Sequence, residues 1–252
     1  MINILEAHNG LSALLVDKSK YDGIWISSLT ESASKGMPDN ELLSPAHRLD
    51  TVREVRNVSH KTLIVDWDTG GSIEHFPYWV RQLENAGVDI IIIEDKVFPK
   101  KNSLLDNANQ ILEDVDVFCE KIKAGKSIAN KIKIFARIES LIAQKSVFEA
   151  LIRADAYIKA GADGIMIHSK SKVEAPEIME FAEKFKEKYP DIPLVAVPTT
   201  YELPEDHKFD IVIYANHLLR ASLLAMKEAI SLDNIKEAKM SSVNEIFDLV
   251  GK

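Results

Sequence analysis

Eight short runs of β-branched and apolar residues recur along this chain, and longer amphipathic stretches separate them. Alternation of this kind is typical of parallel strands joined by helical crossovers. Several runs are apolar throughout, such as IIII at residues 90–93 and IVIY at residues 211–214, as expected for strands that are covered on both faces. The predicted strands are residues 3–7, 23–27, 63–67, 89–94, 132–138, 164–168, 194–198 and 210–214.

Helical patterns lie between these strands, at residues 76–86, 147–160, 176–188 and 217–229. Gly87 and Gly161 follow two of them and are predicted C-terminal caps, because glycine readily adopts the left-handed conformation found there. No Gly-x-Gly-x-x-Gly fingerprint follows the first strand, which disfavours a doubly wound nucleotide-binding sheet. The sequence therefore predicts a single α/β domain over residues 1–252, a (β/α)8 TIM-type barrel with an additional C-terminal helix within residues 234–252.

Charge and hydropathy narrow the class of partner. Lysine and arginine number 31 against 39 acidic residues, a net charge of −8, and no basic run is present to neutralise a phosphate backbone, so we expect no nucleic-acid partner. No apolar stretch approaches the ~18–20 residues that span a bilayer, and the start MINILEAHNG turns polar too early for a signal peptide. We expect a cytoplasmic protein with no membrane anchor. Its one cysteine, Cys119, is predicted to be a buried or half-buried thiol without a disulfide or zinc partner.

Polar residues stand at the ends of most predicted strands, where barrels of this class carry their reacting groups. The third strand ends in Asp66, Trp67 and Asp68. Because side chains alternate along a strand, both carboxylates are predicted to face one pocket while the indole faces the other way. With Glu94 at the end of the fourth strand, they supply the hard oxygen ligands that Mg²⁺ prefers. The alternative is structural: the same acids cap helices or pair with lysine and arginine at the barrel rim.

Two further strand ends carry groups suited to an anion. Arg137 ends the fifth strand with a planar fork that matches phosphate or carboxylate. His168 ends the sixth strand and could donate to the same group. Arg137 and His168 are each equally compatible with a purely structural role at the rim of the barrel. Asn216 and His217 follow the eighth strand.

Two predicted connections, residues 28–44 and 95–110, are longer than a turn requires. Long loops in compact domains are usually functional lids or disordered segments. The first connection holds Asp39. The second carries a polar run, Lys96, Lys100, Lys101 and Asn102. A run of this kind is either a solvated face or a mobile lid that closes over a site.

Ten motifs stand in order along nearly the whole chain: EAHNGLSALLV, YDGIWISSLTESA, PDNE, DWDTGG, EDKVFPKKNSLL, ARIESLIA, YIKAGADGIMIHSK, VPTTY, ANHLLRAS and SSVNEIF. Together they resemble the phosphoenolpyruvate mutase branch of the isocitrate lyase superfamily. EDK followed by KxNS separates this branch from the lyases. Residues 100–103 read KKNS where the lyases carry a cysteine, which disfavours thiol-dependent cleavage of isocitrate or methylisocitrate. Cys119 lies outside this loop.

The resemblance implies a role for each matching residue. Asp66, Asp68 and Glu94 would position Mg²⁺, partly through water. The implied catalytic residues are Asp39, Lys100, Asn102, Arg137 and His168. The implied substrate-binding residues are Trp25, Ser27, Ser28, Leu29, Asn102, Ser103, Arg137 and His168.

Within these sets the resemblance separates the two ends of the substrate. Ser27, with the backbone amides of Ser28 and Leu29, would take the carboxylate. Arg137 and His168 would bind the phosphoryl group. Asp39 would face phosphorus as the candidate nucleophile, and Lys100 and Asn102 on the gating loop would complete the closed site.

The implied reaction moves a phosphoryl group within one small molecule, from the enol oxygen of phosphoenolpyruvate to C3, and gives 3-phosphonopyruvate. Such an isomerase forms the carbon–phosphorus bond of phosphonate biosynthesis. The alternatives are phosphonopyruvate hydrolase, which releases pyruvate and phosphate, a related α-oxoacid lyase, and a non-catalytic binding barrel. Asn102 favours the mutase, since the hydrolase carries threonine at this loop position. The family's exchange of helices between barrels implies a helix-swapped homodimer or homotetramer.

Overall fold

The fold is a closed barrel of eight parallel strands that follow one another in chain order. The computed structural model describes residues 1–106 and 108–251; Asn107 in the predicted lid loop and Lys252 at the end of the predicted tail lie outside the described residues. The strands are β1 (Ile2–Glu6), β2 (Gly23–Ile26), β3 (Thr62–Asp66), β4 (Ile90–Glu94), β5 (Lys133–Ile138), β6 (Gly164–Ile167), β7 (Leu194–Ala196) and β8 (Ile211–Tyr214). All eight predicted strands are confirmed, with ends that differ by at most two residues.

Helices follow the strands along the chain. In the described residues they are α1 (Gly10–Asp17), α2 (Ser28–Ser34), α3 (Pro45–Val58), α4 (Phe76–Asn85), α5 (Val115–Lys126), α6 (Val147–Lys159), α7 (Pro176–Lys188), α8 (His217–Ile230) and α9 (Val243–Val250). The four predicted helical patterns are confirmed as α4, α6, α7 and α8. Gly87 and Gly161 follow α4 and α6 with φ of +87° and +104°, the left-handed conformation predicted for a helix C-terminus.

The predicted loop at residues 28–44 is wrong in its first part, because Ser28–Ser34 form helix α2. The sequence SLTESAS has no apolar stripe, so periodicity does not reveal this helix. Tertiary contacts hold it instead: Glu31 is fully buried, and its carboxylate accepts a hydrogen bond from Arg48 Nε of α3 at 3.0 Å. Helix α2 follows β2 directly, so its first turn lies at the C-terminal end of the barrel.

Two apolar layers pack on the two faces of the strands. The inner layer fills the barrel and consists of Ile4, Trp25, Ile64, Ile90, Ile92, Phe135, Met166, Val195, Val197, Ile211, Ile213 and Ala215. The outer layer lies between the sheet and the helices and includes Val65 of β3 and Phe118 of α5. Cys119 of α5 is buried in this layer, as predicted. Because the barrel interior is packed, the C-terminal ends of the strands remain the place for a site.

Helix α8 carries apolar side chains that its own chain leaves uncovered. None of its 14 described residues is buried, and Leu223, Leu224 and Ile230 expose 48%, 59% and 78% of their surface. The predicted helix in the tail is confirmed as α9, which lies against α1, where Lys18 Nζ donates to the backbone oxygen of Leu249 at 3.2 Å. No helix in the described part of the chain is long and apolar enough to cross a membrane.

Candidate active site

A cavity with an empty volume of about 450 Å³ lies where the C-terminal ends of the strands meet. It is lined by Trp25, Ser27, Ser28, Leu29, Asp39, Asp66, Lys100, Asn102, Ser103, Leu104, Arg137, His168, Val197, Thr199, Ala215 and Asn216. The structure thus brings every residue predicted to act in catalysis or substrate binding to one cavity. Of the three predicted metal ligands, Asp66 lines it, whereas Asp68 and Glu94 do not.

Four of the residues that line the cavity were not predicted from the sequence. Val197 and Thr199 follow β7, and Ala215 follows β8, so the rule that strand ends carry the site could have found them. Leu104 lies in the polar loop, where no residue pattern distinguishes it.

The junction of β2 and α2 forms one wall of the cavity. Trp25 in β2 is buried in the inner layer of the barrel. Ser27 is the N-cap of α2, and its hydroxyl makes no capping hydrogen bond. The amides of Ser28 and Leu29 belong to the first turn, whose N–H groups have no acceptor within a helix. This wall therefore offers hydrogen-bond donors to an anion.

The turn after β3 brings Asp66 and Asp68 together, but not for the predicted reason. The strand ends at Asp66, and Asp68 has φ of +52°, so the alternation of side chains along a strand does not extend to it. The backbone N–H of Asp68 instead donates to Asp66 Oδ1 at 3.1 Å. Asp68 lines a neighbouring cavity beside Trp67 and Trp79. Its Oδ1 nevertheless contacts Lys100, which lines the first cavity, so Asp68 lies between the two cavities.

Arg48 of α3 holds this turn and was missed from the sequence. Its guanidinium donates to Asp68 Oδ2 and to the backbone oxygen of Asp66. The same group lies 4.7 Å from the ring centroid of Trp67, which faces the outer layer as predicted and packs against Trp79. Burial disfavours ionised Asp68, but attraction by Arg48 and Lys100 lowers the pKa of this carboxyl below its usual value.

Glu94 lies beneath the cavity between two cations. Its carboxylate is 1% exposed, with Lys96 Nζ 3.3 Å from Oε1 and Arg137 Nη2 3.4 Å from Oε2. Burial raises the pKa of Glu94 to about 7, although Lys100, Lys96 and Arg137 act in the opposite direction. The predicted position of Glu94 at the end of β4 is confirmed, but arginine and lysine screen it from the cavity.

The predicted magnesium ligands do not form a ready cluster. In the described residues no three acidic, histidine or cysteine side chains are arranged to hold a metal ion, because the cations contact these acids themselves. Nevertheless, Asp68 Oδ1 and both carboxylate oxygens of Glu94 are buried, and their partners among the described residues are cations: Lys100 at 2.7 Å from Asp68, and Lys96 and Arg137 at 3.3 and 3.4 Å from Glu94. Oxygens of this kind are costly to bury and are the ligands that Mg²⁺ prefers. The donor set therefore fits a hard divalent cation.

Lys100 lies among the acidic residues of the site. It belongs to the loop at residues 95–110, called the lid below. Its Nζ is 2.7 Å from Asp68 Oδ1 and 3.2 Å from Asp39 Oδ1, and it donates to Ser28 Oγ at 2.8 Å. Burial opposes its charge, but attraction by the surrounding carboxylates, Asp68 and Glu94 first, raises the pKa of Lys100 well above its usual value. The ammonium group is therefore charged and occupies the acidic side of the cavity.

A second lid contact joins Asn102 to Asp39. Asn102 Nδ2 donates to Asp39 Oδ2 at 2.6 Å. Asp39 Oδ1 is buried, with Lys100 Nζ at 3.2 Å. Two residues of the loop at 95–110, Lys100 and Asn102, thus contact the two oxygens of Asp39.

Glu41 fastens the same lid and was also missed, although it ends the PDNE motif. Its Oε2 accepts the backbone N–H of Lys100 at 2.6 Å. Its Oε1 accepts the N–H and the hydroxyl of Thr69 at 3.1 and 2.7 Å. Glu41 therefore ties together the loop after α2, the turn after β3 and the lid.

Arg137 and His168 form the basic side of the cavity. Arg137 Nη2 donates to Ser103 Oγ at 3.1 Å and lies 2.7 Å from His168 Nδ1. Burial opposes the charge of Arg137, but the acids around it, Glu139 and Glu94 first, raise its pKa, so the group stays cationic. Burial and Arg137 lower the pKa of His168. A phosphate or carboxylate group in the cavity would meet a fixed cation here.

Comparison with known proteins adds to this geometry. Residues 1–232 match the sequence profile of the phosphoenolpyruvate phosphomutase family. The chain is 38% identical to the phosphoenolpyruvate phosphomutase of Tetrahymena pyriformis over 264 residues, which cover 99% of this chain and 86% of that protein.

Solved structures are similar over the whole barrel. Phosphoenolpyruvate phosphomutase from Streptomyces platensis subsp. rosaceus superposes with a TM-score of 0.92 at 34% identity, covering 99% of this chain and 90% of that one. A phosphonopyruvate hydrolase in complex with oxalate and Mg²⁺ superposes with a TM-score of 0.88 at 36% identity, with the same coverage. Overall identity therefore does not distinguish the two activities.

Proposed function

This chain belongs to the phosphoenolpyruvate phosphomutase family, and we propose that it interconverts phosphoenolpyruvate and 3-phosphonopyruvate. The phosphoryl group leaves the enol oxygen and joins C3 of the same molecule, so one P–O bond breaks, one C–P bond forms and no other reactant is consumed. One observation carries the proposal: Asn102 of the lid is hydrogen-bonded to Asp39 in a cavity that also contains Arg137 and His168.

The basic side of the cavity suits the transferring group. Arg137 presents guanidinium N–H groups that can bind two phosphoryl oxygens, and fixed positive charge stabilises a phosphoryl group in transfer. His168 adds a ring nitrogen to the same side. These two residues hold the phosphoryl group in place while the enolate turns to present its carbon.

Asp39 supplies the group that faces phosphorus. Its Oδ1 lies 3.2 Å from Lys100 Nζ, while its Oδ2 accepts a hydrogen bond from Asn102. In a phospho-Asp39 route the carboxylate is the nucleophile, whereas in a metaphosphate-like route it only faces the transferring group. Lys100 and Asn102 orient the carboxylate in both routes.

The wall formed by β2 and α2 takes the substrate carboxylate. The hydroxyl of Ser27 makes no capping bond, and the amides of Ser28 and Leu29 lie in the first turn of α2, where a helix supplies no acceptor for its N–H groups. An anion at this wall gains charge-assisted hydrogen bonds without any rearrangement of the backbone.

We further propose that Asp66, Asp68 and Glu94 hold Mg²⁺. The buried oxygens of Asp68 and Glu94, whose partners are cations, support this assignment, and a related hydrolase contains Mg²⁺. When bound, the ion supplies Lewis acidity that stabilises the negative charge of the pyruvate enolate. Lys100 competes with such an ion for Asp68 Oδ1.

The alternative function is phosphonopyruvate hydrolysis, which the similarity to a hydrolase supports. The mutase is favoured because the lid is closed by Asn102 on Asp39 and by Glu41 on the Lys100 amide. A closed lid excludes water, which would otherwise trap the phosphoryl group as phosphate. A thiol-dependent lyase is disfavoured, since Cys119 lies in α5, outside the lid.

³¹P NMR of the purified protein with Mg²⁺ and phosphonopyruvate tests the proposal. We expect the phosphonate signal to be replaced by that of phosphoenolpyruvate. Accumulation of inorganic phosphate would identify a hydrolase instead. No turnover of any α-oxoacid substrate would leave a binding role and refute both.

The uncovered face of α8 supports a homodimer, or a homotetramer, in which α8 packs on the barrel of a partner subunit. Leu223, Leu224 and Ile230 form an apolar surface of the kind that marks interaction sites. We also propose a cytoplasmic location. Cys119 is a free thiol, and thiols stay reduced in the cytoplasm.

A further inference from the structure

Glu139, the residue that follows β5, lies between the phosphoryl-binding pair and the lid. It is fully buried. Its Oε1 accepts a hydrogen bond from Arg137 Nε and lies 2.8 Å from His168 Nδ1. Its Oε2 accepts a hydrogen bond from Ser103 Oγ of the lid. The Glu139 carboxylate thus contacts the Arg137–His168 pair and the lid at the same time. The proposed mechanism gives it no role.

The charge of Glu139 orients the pair. Burial opposes ionisation, but Arg137, His168 and Lys96 hold the pKa of Glu139 well below its usual value. An ionised carboxylate only accepts hydrogen bonds, and Oε1 accepts that of Arg137 Nε. His168 Nδ1 lies 2.8 Å from this oxygen and 2.7 Å from Arg137 Nη2, which leaves Nε2 as the ring nitrogen for a ligand. Glu139 and Arg137 together therefore set the rotation of the His168 ring.

Lys96 completes the place where the lid docks. Its ammonium is 1% exposed and lies 3.3 Å from Glu139 Oε2. It donates to Ser103 Oγ at 2.7 Å, to the backbone oxygen of Lys101 at 2.8 Å and to Gln110 Oε1 at 3.1 Å. The segment around Ser103 is thus held by a buried ion pair at the base of the lid.

We propose that Glu139 is a positioning residue that couples closure of the lid to the alignment of Arg137 and His168. When Ser103 docks, its hydroxyl satisfies the second carboxylate oxygen, and the first oxygen holds the arginine and histidine. If the lid opens, Oε2 loses this partner, and the carboxylate can be drawn toward Lys96 and away from the phosphoryl-binding pair. A buried polar atom without a partner is costly, so the closed, water-excluding state is favoured when the pair is aligned.

Because this role presupposes the proposed function, its test compares variants with an active wild-type enzyme. The variants are Glu139→Gln, which removes the charge that both sides share, and Ser103→Ala, which removes only the lid contact. Ser140→Ala is the matched control, because Ser140 is the next residue, is fully buried and has a hydroxyl with no hydrogen-bond partner among the described residues. Thermal melting curves establish that each variant is folded.

Two readouts separate positioning from a merely structural role. The first is the ratio of inorganic phosphate to phosphoenolpyruvate formed from phosphonopyruvate, followed by ³¹P NMR. The second is the pair of ring ¹⁵N shifts of His168, which report the tautomer. We expect Glu139→Gln to lower kcat by about 100-fold, to raise the phosphate share and to change the ¹⁵N shifts. Ser103→Ala should raise the phosphate share by about tenfold with a smaller loss of kcat, and Ser140→Ala should resemble wild type.

An unchanged product ratio in a folded Glu139→Gln protein would overturn the coupling, whatever its kcat. If Glu139→Gln does not fold, an unchanged product ratio in Ser103→Ala would overturn it equally. Wild-type protein that does not turn over phosphonopyruvate would refute the proposed function, and the coupling with it.

Discussion

Asn102 of the lid donates a hydrogen bond to Asp39 across 2.6 Å, although the two residues stand 63 positions apart in the chain. The contact fixes one oxygen of the carboxylate, while the other oxygen lies 3.2 Å from Lys100 Nζ. The lid residue thereby orients the group proposed to face phosphorus. The position of the lid and the orientation of the Asp39 carboxylate therefore depend on the same hydrogen bond.

Removal of the Asp39 carboxylate should abolish turnover. Asp39→Ala is expected to lower kcat by at least about 10³-fold, because no neighbouring group can replace an oxygen that faces phosphorus. Folding and metal affinity should be nearly unchanged, which circular dichroism and Mn²⁺ titration will check. A variant with wild-type kcat would refute the role of Asp39.

Replacement of the lid amide should admit water. Asn102→Thr exchanges the amide that donates to Asp39 for a shorter hydroxyl, so the share of phosphonopyruvate converted to inorganic phosphate is expected to rise about tenfold, equivalent to ~1.4 kcal/mol in relative barrier height. ³¹P NMR measures both products. Asn109→Thr makes the same change elsewhere in the loop and should leave the ratio as in wild type. Equal ratios in both variants would show that residue 102 does not control water.

Loss of the Arg48 guanidinium should destabilise the turn after β3. Arg48→Met removes the guanidinium that pairs with the buried carboxylates of Glu31 and Asp68 and leaves Asp68 with Lys100 alone. Breaking such a buried arrangement costs about 3–5 kcal/mol. Urea unfolding measures the change in the free energy of unfolding. We also expect weaker Mn²⁺ binding, since Asp68 loses its orientation. Unaltered stability and metal affinity would contradict the proposed role of Arg48 in holding this turn.

Glu94 should make the metal-free protein less stable as pH rises. Its pKa is raised from 4.5 to about 7 in the folded state, so its contribution is fully present below pH 4.5 and is lost as pH rises through 7. Glu94→Gln removes this titration. Relative to wild type, the free energy of unfolding of the variant should therefore increase between these pH values by on the order of 3 kcal/mol. Urea unfolding in EDTA at several pH values measures the difference; a constant difference would contradict the raised pKa.

The uncovered face of α8 should mediate assembly. Leu224→Asp places a charge on this face and should shift the protein to monomer, because a buried unpaired charge opposes association. Light scattering after size-exclusion chromatography gives the mass. Lys20→Asp places the same charge at an exposed position outside α8 and should leave the assembly intact. A monomeric wild type would refute the oligomer.

Part of the site followed from position in the strands, and part only from the family resemblance. Arg137 and His168 stand at strand ends, whereas Asp39, Lys100 and Asn102 were assigned to the site by the resemblance; all five line one cavity. Arg48 and Glu41 were missed, because a charged residue in a helix or loop looks like surface until its partner is known. The reason given for Asp68 was wrong, because a left-handed residue after the strand breaks the alternation assumed for it.

The sequence by itself determined the eight strands, the helix ends at Gly87 and Gly161 and the family resemblance, because apolar periodicity and cap residues depend on neighbours along the chain. Only the tertiary structure decided how the buried charges pair. Arg48 meets Asp68 across 20 positions and Ser103 meets Glu139 across 36. Such pairs form only when the closed barrel brings distant segments together, and burial then makes each partner necessary.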